Sequence, residues 1–181
     1  MSGFADYRPE LSRQQPDEAI SIRAAVIDDL EVCARLIVSR AGGSVEERRE
    51  RLLVDLADPN RYVAVACSGN EVIGYGGVIH HEQTPPHTAP TGYYLIGLIV
   101  DPRLRRHGIG ELLTLDRMRW TAERSDSVWY FANLANGAIL DLHARLGFVE
   151  VTRDFTFPRA PLKPGSGVLM RAPLPVRELR G

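Results

Sequence analysis

The chain has 181 residues, 44% of them hydrophobic and 25% charged, with a formal net charge of -1 and a sequence pI near 6.5. That length supports one domain with a sizeable core, and the near-neutral balance gives no whole-protein reason to expect nucleic-acid binding. No apolar run is long enough to span a membrane and the N-terminus lacks the apolar core of a signal peptide, so a cytoplasmic protein with no membrane partner is expected.

Residues 1 to 18 are polar and unpatterned and read as an N-terminal tail. Ile20-Ser21-Ile22-Arg23 alternates as a first strand should, and Asp28-Asp29 opens a helix whose apolar stripe is Leu30, Ala34, Ile37 and Val38. Gly42-Gly43 end that helix. Ser44 and Glu47 form a capping box for a second helix to Ala57, and its charge run from Glu46 to Arg51 reads as a solvated face. Tyr62 to Cys67 and Glu71 to Ile79 are strands joined by a tight Ser68-Gly69-Asn70 turn. His80 to Gly92 is the longest predicted loop, with Pro85, Pro86 and Pro90. Residues 93 to 100 (YYLIGLIV) form a buried strand in which Gly97 marks a bulge. Pro102 stops it, and a helical pattern begins at Ile109. Residues 128 to 133 (VWYFAN) are another strand. A helix capped by Asn136 follows, with Ile139, Leu142 and Leu146 on one face and Gly147 placed for a left-handed exit. Phe148 to Phe157 and Gly167 to Ala172 are the last strands, with residues 173 to 181 a C-terminal tail. Cys33 and Cys67 fall in a helix and a strand and read as packing residues.

The turn Asp101-Pro102-Arg103-Leu104-Arg105-Arg106-His107-Gly108-Ile109-Gly110 carries the most chemistry. It ends a strand and opens a helix whose first N–H groups are unpaired at the positive end of the dipole. Gly108 and Gly110 let a ligand approach the main chain, and Arg105 and Arg106 offer forked donors for phosphate oxygens. The combination describes a pyrophosphate cradle. A Walker loop would need Lys and then Ser or Thr where Glu111-Leu112 stand, and a dinucleotide fingerprint would need Gly or Ala where Leu113 stands.

Arg-x-x-Gly-x-Gly after Val100-Asp101-Pro102 resembles the acetyl-CoA loop of the GNAT (GCN5-related) N-acetyltransferases. The segment Asn136 to Phe148 resembles a second motif of that family, in the family's order and at about its separation, with His143 where a Tyr is usual, as in phosphinothricin-type acetyltransferases. The resemblance covers about residues 20 to 172 and implies an α/β (α+β) fold in a single domain, residues 19 to 172. Its sheet would be mixed, mostly antiparallel and twisted, with about seven strands flanked by about four helices in the order β-α-α-β-β-β-α-β-α-β-β. Strands 93 to 100 and 128 to 133 would run parallel and splay apart to admit the pantetheine arm.

By the same resemblance, acetyl-CoA is the cosubstrate. Leu98 and Val100 contact its pantetheine, Arg105, Arg106, His107, Gly108, Ile109 and Gly110 hold its pyrophosphate, and Asn136 and His143 lie near the arm. Direct transfer to an amine needs a polarised carbonyl, a neutral amine and a protonated leaving thiolate. The Leu98 N–H is the candidate oxyanion donor and His143 the candidate general acid. Many relatives carry a Glu base where Leu95 stands, so Glu82, His80, His81, Tyr94 and ordered water are the remaining candidates. Neighbouring His80, His81 and Glu82 would point to alternate faces of a strand, which argues against a metal site. The expected reaction is acetylation of a primary amine of a small molecule. A protein or peptide N-acetyltransferase and a catalytically silent acyl-CoA-binding module are the alternatives. Many relatives are dimers, which extends to this chain the expectation of a homodimer.

Overall fold

The computed structural model describes residues 19–158, 160, 162–163 and 165–175; the predicted tail 1–18 and residues 176–181 of the predicted C-terminal tail lie outside the described residues. The chain runs β1 (Ile20–Ala24), α1 (Leu30–Ala41), α2 (Val45–Ala57), β2 (Arg61–Ser68), β3 (Glu71–His81), β4 (Gly92–Val100), α3 (Ile109–Ala122), β5 (Ser127–Asn133), α4 (Gly137–Arg145), β6 (Val149–Thr152) and β7 (Gly167–Pro173). This is the expected mixed α/β order. The seven strands form one sheet in the order β1-β2-β3-β4-β5-β7-β6, and β4–β5 is its parallel pair.

Alternation along the strands sorts side chains to two faces. Val63, Val65, Tyr75 and Ile99 pack against Leu30, Cys33, Ala34 and Leu52 of α1 and α2. Ala64, Ala66 and Ile73 pack against Ile109 and Leu113 of α3. Val78, Leu95, Val128 and Met170 pack with Met118 of α3, Leu142 of α4 and Leu146 just past its end. Helices therefore cover both faces of the sheet, as the hydrophobic pattern of a buried sheet requires.

Local chemistry sets the helix ends. The Ser44 hydroxyl accepts from the Glu47 N–H (3.4 Å) at the start of α2. At the end of α4, Gly147 turns left-handed (φ 87°), the Phe148 N–H donates to His143 O and the Gly147 N–H to Ala144 O. This pair of bonds is a Schellman motif that closes the last turn.

Three boundaries differ from the sequence expectation. β3 continues through His80 and His81, which pair with Tyr93 and Gly92, so the loop begins two residues later. Pairing of the strand expected over 148–157 ends at Thr152 after a register shift. The chain then crosses the sheet, where Phe155 and Phe157 pack on Phe131 and Thr156 N–H donates to Thr88 Oγ1. At the other end β7 reaches Pro173, and Leu174 is buried with its N–H bonded to Asp126 O. The packed unit thus extends past residue 172.

Candidate active site

β4 and β5 pair only at Tyr94↔Trp129 and Leu95↔Tyr130. Beyond those residues β4 turns away, because it carries a bulge. Gly77 lies opposite Ile96 and Tyr75 opposite Ile99, so Gly97 and Leu98 together face one residue, Gly76. Gly97 takes φ 62°, and a Cβ there would lie 2.8 Å from the Tyr75 ring. Glycine is required on both counts. The bulge also resets the alternation: Leu95 and Leu98 pack toward α3 although three residues apart, and Ile99 faces α1 and α2.

A cleft of about 1600 Å3 opens at this divergence. Its middle is the β4 segment from Ile96 to Val100. One end is the loop of Arg105, Arg106, Gly108 and Gly110 with Asn136 of the α4 entry, and the other is formed by Arg40 of α1, Arg48, Arg51 and Asp55 of α2, and Phe157. Past Leu95 the main-chain groups of β4 on the β5 side have no strand partner and lie open to the cleft, with Leu98 and Val100 among the lining residues.

The loop end has the features of an anion cradle. Gly108 is the left-handed N-cap of α3 (φ 77°), and no side chain caps the helix. The N–H groups of Gly108, Ile109 and Gly110 have no protein partner among the described residues. Arg106 is held at φ 72°, uncommon for a residue with a side chain. His107 does not line the cleft. Its Nδ1 lies 3.1 Å from Leu104 O and 3.0 Å from Arg105 O. Both partners are carbonyls, so Nδ1 carries the proton and fixes the loop from behind. Arg105 and Arg106 have no ion pair among the described residues, whereas Arg103 is bound to Asp101 (2.7 Å). Open N–H groups beside unpaired guanidinium groups suit a pyrophosphate.

His143 is at its expected place on α4 but does not reach the cleft. It is fully buried, its Nδ1 donates to Ile139 O (2.8 Å), and Nε2 has no partner. Tyr130 stacks over the imidazole with ring centroids 3.7 Å apart. Burial drives the His143 pKa down to about 3, so the ring is neutral near pH 7 and a protonated imidazole acid does not fit this environment. Tyr130 stands between His143 and the cleft and lines it. Desolvation raises its pKa to about 12, with Arg117 and Arg40 pulling it the other way.

The base candidates read from the sequence are likewise outside the cleft. Leu95 is buried in the core, Glu82 is exposed beyond the end of β3, and His81 is packed against Tyr94 and Phe157. His80 lies edge-on to Tyr93, and the Tyr94 hydroxyl donates to Pro90 O (2.7 Å). Among the described residues no three His, Cys, Asp or Glu side chains gather as metal ligands. The cleft carboxylate on the α1–α2 wall is Asp55, which is tied to Arg61 at 2.5 Å.

Arg117 was not legible as a site residue. It is fully buried on α3 and its guanidinium reaches Leu113 O (3.0 Å), Gly77 O (3.2 Å), Ile96 O (3.0 Å) and Thr114 Oγ1 (3.2 Å). It therefore clamps β3 to β4 at the bulge. Burial lowers its pKa to about 10, which leaves it charged near pH 7. Its signal in the sequence is the run Gly74-Tyr75-Gly76-Gly77: a Cβ on Gly76 would lie 2.9 Å from the Arg117 guanidinium.

A family model described as "Acetyltransferase (GNAT) family" matches residues 25–148. N-alpha-acetyltransferase RimI of Mycobacterium tuberculosis is 28% identical over 134 residues, 74% of this chain and 81% of that protein. Ribosomal-protein-alanine N-acetyltransferase from Brucella melitensis superposes with a TM-score of 0.67 at 21% identity, covering 85% of this chain and 99% of that one. The Salmonella typhimurium protein yncA, solved with its cofactor acetyl-CoA, gives 0.68 at 16% identity over 89% and 97%. The family match spans α1 to the end of α4, and so takes in the bulge, the Arg-Gly loop and both strands of the cleft: the chain belongs to the acetyltransferase (GNAT) family and is an acyltransferase.

Proposed function

We propose that the protein moves the acetyl group of acetyl-CoA directly to a primary amine of a small molecule. The observation that carries this reading is the continuous cleft, which joins an anion cradle to the wall formed by α1 and α2 across an unpaired, bulged strand. Acetyl-CoA supplies the activated thioester. The N–H groups of Gly108 to Gly110 with Arg105 and Arg106 hold its pyrophosphate, and the open edge of β4 at Leu98 and Val100, with Asn136 opposite, receives the amide-bearing arm. The Leu98 N–H polarises the acetyl carbonyl, in a bulge fixed from behind by Arg117.

The acid is assigned to Tyr130 instead of His143. A phenol whose pKa is raised to about 12 stays protonated and can donate a hydrogen bond to the departing sulfur. His143 supports it as a stacked platform. With Leu95 apolar, the amine's proton leaves to water in the cleft on the wall that holds Asp55.

Release of CoA thiol is the direct test, run over small amines, amino acids, aminoglycosides and peptides. Turnover of a small amine supports the proposal. Acetyl-CoA binding without thiol release from any acceptor would leave a binding module. A second reading, acetylation of a protein N-terminus, is favoured by the 28% identity to RimI, named as an N-alpha-acetyltransferase. Release from peptides alone would establish it in place of the first.

A further inference from the structure

Arg48, Arg51, Leu52 and Asp55 recur at three- and four-residue spacing and so share one stripe of α2. That stripe lines the cleft, and Arg40 of α1 lines it from the neighbouring helix. The α2 charge run is therefore not wholly an open face, because half-buried Arg48 and exposed Arg51 also line the cleft.

Adjacent arginines are neutralised in place: Arg35 by Glu31, Arg49 by Glu46, and Arg61 by Asp55 and Asp58. Arg40, Arg48 and Arg51 have no carboxylate partner among the described residues, and the hydrogen bond of Arg48 is a long one to Gly42 O (3.5 Å). The wall's carboxylate, Asp55, is already occupied by Arg61. The charges also reach the reacting region. Burial raises the pKa of Tyr130 and of Tyr75, whose ring closes on Gly97 of the bulge, and Arg40 acts against the first shift and Arg51 against the second.

We infer that the acceptor is a carboxylate-bearing amine, its anionic group held by Arg40, Arg48 and Arg51 while its amine is directed to the β4 bulge. The inference rests on the acetyl-transfer reading above and names its substrate class. A planar guanidinium matches a carboxylate through two parallel N–H bonds, and three such groups in one cleft repel a polycation such as a polyamine or an aminoglycoside.

The test measures thiol release with matched amines: α-amino acids, their carboxamides, the corresponding decarboxylated amines, and spermidine. The carboxylate member of each set is expected to show kcat/KM at least about tenfold higher, and this advantage falls as KCl is raised. Arg40→Gln and Arg51→Gln each raise its KM about tenfold, which is about 1.4 kcal/mol, and Arg40→Lys loses less. The KM for acetyl-CoA stays near its starting value. Equal rates within a set, or a preference for spermidine, overturn the inference and leave acetyl transfer to small amines standing. A raised acetyl-CoA KM in the glutamine variants also overturns it, since the arginines would then serve the cosubstrate. Acetyl-CoA binding with no thiol release from any member overturns the underlying reading and this one with it.

Discussion

Removing the buried guanidinium of Arg117 tests the claim that the bulge is held from behind. Arg117→Met keeps most of the stem volume and deletes four hydrogen bonds, two of them to the strand carbonyls Gly77 O and Ile96 O. A hydrogen bond to a charged group contributes about 1.5–3 kcal/mol, and each carbonyl left buried without a partner costs about 1–3 kcal/mol. Those losses are partly offset because the fold no longer buries a cation, whose desolvation costs several kcal/mol. The expected net destabilisation is about 2–4 kcal/mol, read from urea unfolding. The bulge backbone loses its anchor at the same time, so kcat falls about 10- to 100-fold, equivalent to about 1.4–2.7 kcal/mol of transition-state stabilisation. Arg117→Lys keeps the charge but not the fork and should fall between the two. A methionine variant within about 0.5 kcal/mol of the parent and with unchanged kcat would show that the clamp is not what shapes the bulge.

Gly108→Ala meets no atom within 4 Å, so its cost is the left-handed backbone alone, about 1–2 kcal/mol, together with a raised KM for acetyl-CoA; both can be read by thermal unfolding and cosubstrate titration. His143 is neutral when folded and basic when unfolded, with a pKa of about 3 against an unfolded value of about 6.5. Its contribution is therefore complete above about pH 6.5 and lost as pH falls toward 3; between pH 7 and 4.5 roughly 2–3 kcal/mol disappears. His143→Phe should flatten that acid limb in urea unfolding, and an equal loss in both proteins would contradict the burial argument. Tyr130→Phe should lower kcat about tenfold and leave the acetyl-CoA KM within about a factor of two; full turnover without the hydroxyl would remove Tyr130 as the hydrogen-bond donor to sulfur. The pH profile of kcat at saturating acceptor should place the bound amine's apparent pKa below that of the free amine, and an unshifted or raised value would contradict a cationic cleft.

Features written by local chemistry were legible in the chain. Gly97 as a bulge, Ser44 as a cap and Gly147 as a left-handed exit follow from backbone rules that hold over a few residues, and the Arg105-to-Gly110 turn carries its own signal. The missed features depend on what the fold brings over a residue. His143 is in the expected helical position, but its chemistry is set by Tyr130, thirteen residues earlier on β5, which covers it. Arg48 and Arg51 sit in a run that any surface helix could carry, and only packing of α2 against the sheet places them along the cleft. Arg117 looked like one more helical arginine because its carbonyl partner on Gly77 lies forty residues away. The end of β6 departs from the sequence pattern for a similar reason: Phe155 and Phe157 read as strand residues, while their partners Phe131 and Tyr94 draw them across the sheet.

A formal charge of -1 conceals how strongly the charge is segregated. Many acids sit in pairs on the surface, as Glu31 with Arg35 and Glu150 with Arg153, and the cleft's own carboxylates are paired too, Asp55 with Arg61 and Glu111 and Asp141 with Arg145, while Arg40, Arg48, Arg51, Arg105 and Arg106 line the cleft without a carboxylate partner among the described residues and Arg117 lies behind its centre. Both ends of the cleft are thus cationic, and so is its floor. That field bears on the missing carboxylate at Leu95. An alkyl amine arrives protonated and its proton must leave to an acceptor, here water, and a positive charge nearby lowers the ammonium's pKa and so makes water sufficient. One unit charge at about 8 Å, with an effective dielectric of about 20, contributes about 2 kcal/mol, or about 1.5 pKa units. An acceptor's own carboxylate would compensate the arginines it binds, but it leaves Arg117, which is bound to carbonyls and a hydroxyl and not to a carboxylate. The same charge favours the oxyanion and the thiolate that form as the amine attacks. A cationic floor can therefore promote both loss of the amine's proton and the transfer itself, and the chain needs no carboxylate on β4 to do so.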